Sequence, residues 1–123
     1  MARTRLLHPG FFTDEALLSL TPLHRILFQG LWCLADREGR LEDKPVEIKI
    51  RLLPMDNCNV GELLTDLLLA GLIIRYEVDG RRLISVRNFA KYQKPHLREM
   101  ASGLPAPTSE AKHDLGSAQA QPR

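Results

Sequence analysis

An Asp-Gly pair between two apolar runs is the feature that most constrains how this chain can fold. The stretch "IRYEVDGRRLISV", residues 74–86, places Asp79 and Gly80 at its centre. A type I′ turn needs positive φ at both central positions, and Asp-Gly is among the strongest sequence signals for it. We therefore predict a β-hairpin that carries Arg81 and Arg82 at its tip.

Helical patterns precede the hairpin. Thr13 stands before "DEALLSL", which predicts a short helix with two carboxylates in its first turn. Thr21-Pro22 predicts the start of a second helix, whose buried face has helical spacing and comprises Leu23, Ile26, Leu27, Leu31, Leu34 and Ala35. Asn59 and Gly71 enclose a third helix, with an apolar stripe of Val60, Leu63, Leu64, Leu67 and Leu68.

Residues 45–53 fit two structures. Apolar and charged residues alternate through "VEIKIRLL", which indicates a strand. Pro45 instead suits a first helical turn, Asp43 could cap that turn, and Pro54 would end the helix. As a helix, the segment would bury Ile48 and Leu52 and leave Ile50 near the surface. The sequence alone leaves both structures open.

The order of elements predicts the fold class. Three to four helices followed by a two- or three-stranded wing make a mainly α chain with the layout of a winged helix-turn-helix, in which residues 45–53 would be helical. We expect this domain to cover residues 1–98. From Ala101 onward the only bulky apolar residues are Leu104 and Leu115. A segment this poor in apolar residues is typical of disorder, so we predict a disordered tail or linker over residues 99–123.

Three stretches carry a family resemblance. They are "HPGFFTDEALLSLTPLHRILFQGLWCLADREGRLEDKP", "IKIRLLPMDN" and "LLLAGLIIRYEVDGRRLISVRNFAKYQKPH", in this order and spacing. Together they resemble the N-terminal winged-helix domain of phage replisome-organiser, or DnaD-like, replication initiation proteins. The resemblance covers residues 1 to about 98 and implies binding to double-stranded DNA at a phage origin, with the replicative helicase or another replication protein as a partner. Proteins of this family usually continue into a second domain for partner contact, whereas here a short tail follows.

Charge is distributed unevenly along the chain. Residues 75–98 hold seven basic and two acidic residues, whereas residues 36–66 hold five basic and eight acidic ones. A concentrated basic patch is the footprint of phosphate binding. The residues that we predict to contact DNA are Arg3, Arg5, Lys49, Arg51, Arg75, Arg81, Arg82, Arg87, Lys91 and Lys94.

The two arginines at the hairpin tip differ in whether the opposite strand offers an ion-pair partner. Around a two-residue turn Arg82 lies opposite Glu77, so a cross-strand ion pair is as good an interpretation as phosphate contact. Arg81 lies opposite Val78 and lacks such a partner, which favours phosphate contact.

The third helix is an unusual candidate for reading DNA bases. Its exposed face would carry two carboxylates and no basic residue, so phosphate repulsion should dominate. We therefore expect Glu62, Asp66 and Leu69 to serve as a protein interface, in self-association or in partner binding. Such an assembly module, or a small phage transcriptional regulator, is the alternative to a DNA-binding replication module.

Other classes of function have little support in the sequence. The four histidines are scattered without ligand spacing, and no phosphate loop or nucleophile motif is present, so we expect no enzyme activity, metal or other cofactor. No apolar run has the length of a membrane span, and we expect no signal peptide. With Cys33 and Cys58 as the only cysteines, the bacterial host cytoplasm is the expected location.

Overall fold

The computed structural model describes residues 2–95 and 101–107. Within these ranges the chain forms five α-helices, one 3₁₀-helix and a three-stranded antiparallel sheet. The 3₁₀-helix is Pro9–Thr13. The remaining elements are α1 (Glu15–Leu18), α2 (Pro22–Leu34), β1 (Arg40–Glu42), α3 (Pro45–Leu52), α4 (Val60–Leu69), β2 (Ile73–Val78), β3 (Arg81–Val86) and α5 (Phe89–Tyr92).

The helix boundaries follow local capping chemistry. The Thr21 side chain accepts from the backbone N–H of His24 at the start of α2, and Asn59 accepts from Glu62 at the start of α4. Gly71 has φ of +80° just after α4, which glycine adopts without steric cost. The first helix differs slightly from expectation: its N-cap is Asp14, whose carboxylate accepts from two backbone N–H groups, and not Thr13.

Residues 45–52 are helical. Ile48 is buried, whereas Val46 and Ile50, which a core-facing strand would have buried with it, are exposed. Leu52 packs so closely against α2 that a Cβ on Gly30 would lie 2.6 Å from its Cδ1. The alternating apolar residues Val46, Ile48, Ile50 and Leu52 therefore do not form the buried face of a strand, because only Ile48 is buried in the core.

The hairpin forms with the predicted turn and register. Asp79 and Gly80 have φ of 52° and 78°, and Glu77 pairs with Arg82 across the strands. The sheet order is β1-β3-β2, so β3 lies in the centre. Strand β1 lies in a polar segment that carries no strand pattern in the sequence; Leu41, buried opposite Ile84, gives it an apolar position in the core.

The two faces of the sheet are covered differently. On the inner face, Ile73, Ile84 and Val86 join the main core, which the helices complete. On the outer face, Tyr76 and Leu83 form a second cluster that is packed against Leu104.

Of the tail that we predict to be disordered, residues 99–123, the structure describes only residues 101–107, and the contact of Leu104 lies within them. Residues 101–107 lie against the sheet because Leu104 has an apolar surface to cover. Residues 96–100 and 108–123 lie outside the described ranges.

Ile26, predicted to be buried, is instead 50% exposed on α2.

Candidate nucleic-acid interface

Two exposed arginines stand at the tip of the hairpin, as the sequence indicated, but their partners differ from expectation. Arg81 lies 3.6 Å from the carboxylate of Glu42, and each side chain is 46% exposed. This partner comes from β1, the strand that the sequence did not reveal. No ion pair joins Arg82 to Glu77 in the described part of the chain, although the two residues face each other in the register. At the tip, Arg82 is exposed to solvent, and Arg81 belongs to a solvated ion pair. Such a pair contributes only about 0–1 kcal/mol to folding stability, so a phosphate can replace Glu42 as the partner of Arg81.

A second basic group lies at the opposite end of β3. Arg87, Lys91 and Lys94 are all exposed, and the ammonium of Lys91 lies 5.4 Å from the centre of the Tyr92 ring. A strand rises about 3.4 Å per residue, so roughly 17 Å separates this end of β3 from Arg81. The basic segment seen in the sequence is thus two separate patches and not one.

Arg75 does not belong to either patch, contrary to our prediction. It is 5% exposed, and its guanidinium donates from Nε and Nη2 to the two carboxylate oxygens of Asp43, at 2.6 and 2.9 Å. Nη1 also donates to the Thr65 hydroxyl at 3.2 Å. Arg75 points to the inner face of β2, where a charge must be paired to be buried, and it is therefore not accessible to DNA.

Arg5 and Lys49, also predicted to contact DNA, bind ends of helices. Arg5 donates to the carbonyl oxygens of Trp32 and Ala35 at 3.0 Å, and its guanidinium stacks over Phe89 at 5.1 Å. Lys49 donates to the carbonyl oxygen of Leu53 at 3.1 Å. Both satisfy carbonyl groups that a helix leaves unpaired at its C-terminus.

The last two predicted contacts lie elsewhere. Arg51 is exposed near the end of α3. Arg3 is half-buried, and its backbone N–H donates to the carbonyl oxygen of Cys33.

The outer face of α4 is acidic, as predicted, but one of its carboxylates is engaged. Glu62 is exposed and Leu69 is 54% exposed. Asp66 lies 2.8 Å from Nε2 of the buried His24 on α2, so one of its carboxylate oxygens joins two helices, while its side chain is 46% exposed. No sequence pattern predicts this pair, because its members are 42 residues apart.

An apolar groove of about 200 Å³ opens between the 3₁₀-helix, α2 and α5. Its walls include Phe11, Phe28 and Trp32, and Arg87 and Tyr92 contribute to the lining. The three wall residues form an aromatic cluster in which Trp32 meets both phenylalanine rings edge to face. The groove thus brings one member of the second basic patch beside an aromatic surface.

Comparisons with protein-family models, with curated proteins and with solved structures found no match. Among the described residues no group of three or more His, Cys, Asp or Glu side chains is arranged to hold a metal ion. None of the helices in the described ranges is long and apolar enough to cross a bilayer.

Proposed function

We propose that this chain is a winged-helix DNA-binding module that contacts duplex DNA through the tip of its hairpin. The observation that carries the proposal is the position of the exposed Arg81 and Arg82 directly after the type I′ turn, at the start of β3 in a sheet of order β1-β3-β2. The element order of helix, strand, helix, helix and hairpin is the one that a winged helix requires. In that arrangement the hairpin is the wing, and its two arginines contact phosphates.

The proposed contacts recognise the phosphate backbone and not a base sequence. Helix α4 occupies the position of a reading helix, yet its exposed face holds carboxylates and no basic residue. Phosphate contacts position a protein on DNA without reporting its sequence. The resemblance to phage replisome organisers favours a role at a replication origin over that of a transcriptional regulator, which would need strong discrimination between sites.

Salt-dependent DNA binding by the full chain tests the proposal. The double variant Arg81→Ala/Arg82→Ala should bind a labelled duplex more weakly in fluorescence anisotropy. Its plot of log affinity against log salt concentration should be flatter by about 2, since each lost phosphate contact removes about 0.9 from the slope. The double variant Arg87→Ala/Lys91→Ala removes the same charge from the second basic patch, which we also predict to contact DNA. It compares the two patches at equal net charge, and its loss of affinity should be the smaller one.

Three results would contradict the assignment. Unchanged binding after loss of both tip arginines would remove the wing from the interface. Equal losses in the two double variants would mean that net charge, and not the tip, governs binding. Absence of any duplex binding by the unaltered chain at low salt would reject DNA binding altogether.

A second candidate function, assembly with another protein, is favoured by one observation. Leu69 is 54% exposed on the face of α4 that also carries the exposed Glu62. Leu69→Glu should lower the molar mass measured by light scattering if this face holds a second copy. Leu18→Glu, at a 60% exposed position on α1, is the control and should leave the mass unchanged.

A further inference from the structure

Residues 101–107 cover an apolar site on the outer face of the sheet. Leu104 packs against Tyr76 and Leu83, whose exposed fractions are both 0%, and the partly buried Ile74 and Val78 border them. These four residues of β2 and β3 are fixed in place by the register of the two strands, in which Tyr76 pairs directly with Leu83. The site is therefore built by the sheet, and one side chain of the covering segment fills it.

Side-chain donors of the domain bind the backbone of the covering segment. The hydroxyl of Tyr76 donates to the carbonyl oxygen of Pro105 at 2.8 Å, and Nη1 of Arg40 donates to that of Leu104 at 3.0 Å. Two consecutive carbonyl groups are thus held from two strands. At the other end of the segment, the hydroxyl of Ser102 donates to the carboxylate of Asp36.

The covering segment is not part of the sheet. No backbone-to-backbone hydrogen bond joins residues 101–107 to residues 2–95. Its attachment consists of one apolar side chain, two carbonyl groups and one hydroxyl, which is the way a protein holds a short bound peptide and not the way it extends a sheet.

We propose that the outer face of the sheet is a peptide-binding site that is specific for a short Leu-Pro segment. In this chain residues 102–105 occupy the site, and a separate peptide with the same sequence can bind there when they are released. Leucine occupies the apolar site, and Tyr76 and Arg40 recognise the carbonyl groups of leucine and of the proline that follows. Tethering favours the chain's own segment, because a short linker gives an effective concentration of about 1 mM. The proposal does not depend on DNA binding, since neither Arg81 nor Arg82 takes part.

Competition with a free peptide tests the proposal in the full-length chain. Leu104→Asp should release the segment, because a carboxylate cannot be buried against Tyr76 and Leu83 without a partner. Added peptide ASGLPAP should then shift the amide NMR signals of Tyr76 and Leu83, with an affinity at least about tenfold higher than for the unaltered chain, whose site is occupied. Leu104→Gly, which adds no charge, serves the same purpose if the first variant does not fold.

The controls separate the site from general effects of charge. Ala106→Asp adds the same charge at an exposed position two residues away and should behave like the unaltered chain. Peptide ASGDPAP should not bind the released variant. If ASGLPAP at several millimolar shifts neither amide in a folded released variant, or if it binds the released and unaltered chains equally, the proposal is wrong.

Discussion

The guanidinium of Arg75 and the carboxylate of Asp43 form a two-pronged ion pair with distances of 2.6 and 2.9 Å, across 32 residues of sequence. The exposed fractions of the two side chains are 6% and 1%. Asp43 directly follows β1 and lies just before α3, whereas Arg75 lies in β2, and the Thr65 hydroxyl on α4 accepts a third hydrogen bond. The pair therefore ties the edge strand β2 to the segment between β1 and α3, and the third hydrogen bond ties β2 to α4.

Removal of one partner of this pair should be far more damaging than removal of both. Arg75→Met leaves the carboxylate of Asp43 buried without its partner, and the free energy of unfolding should fall by about 3–5 kcal/mol. The double variant Arg75→Met/Asp43→Leu leaves no buried charge and should recover a large part of that loss. Urea unfolding followed by circular dichroism measures both, and a double variant less stable than the single one would contradict a purely electrostatic origin of the loss.

Two glycines with the same backbone conformation should tolerate alanine very differently. Gly39 and Gly71 have φ of +81° and +80°, so alanine is strained at both positions, by about 1 kcal/mol or more. A Cβ on Gly39 would lie 2.6 Å from Cβ and Cγ of the buried Phe89, whereas nothing lies within 4 Å of one on Gly71. Gly39→Ala should therefore lower the urea midpoint clearly more than Gly71→Ala, and equal losses would mean that Phe89 moves aside at no cost.

The hydrogen bond between His24 on α2 and Asp66 on α4 offers a test of why the outer face of α4 is acidic. Asp66→Asn weakens the contact with the buried Nε2 of His24 and should destabilise the fold, by about 1–2 kcal/mol for a charged hydrogen bond. Glu62→Gln removes the same charge at an exposed position one turn earlier and should have little effect. Equal unfolding free energies for the two variants would assign Asp66 to the surface, as the sequence suggested.

Local signals in the sequence were sufficient for the helices and the hairpin. Thr21, Asn59 and Gly71 act on neighbours within a few residues, and the turn at Asp79-Gly80 sets the register of β2 and β3 by itself. Strand β1 could not be predicted in the same way. It is three residues long, and pairing with β3, more than forty residues later, makes it a strand.

The candidate site was predicted less well, because the sequence shows charges but not their partners. Arg75 is basic and lies between apolar residues, but the strand alternation turns it inward to Asp43, so counting it with the exposed arginines was wrong. Arg81 acquires Glu42 as a partner through β1, which the sequence did not reveal. Leu104 is a single bulky apolar residue in a polar stretch of the sequence, and only the outer face of the sheet gives it a partner.

Alkaline pH should weaken the fold through Tyr76. Burial raises the pKa of this phenol above its ordinary value of 10.0, with a smaller opposing effect of Arg40. The unfolded chain then loses the phenol proton at a lower pH than the folded chain, so the contribution is present in full below pH 10 and is lost as pH rises through the folded pKa. Between pH 9 and 11 the urea midpoint should fall more steeply for the unaltered chain than for Tyr76→Phe, which has no proton to lose at this position. Tyr92→Phe removes an exposed phenol and serves as the control; a profile for Tyr76→Phe as steep as that of the control would show that Tyr76 ionises without disturbing its contact with Pro105.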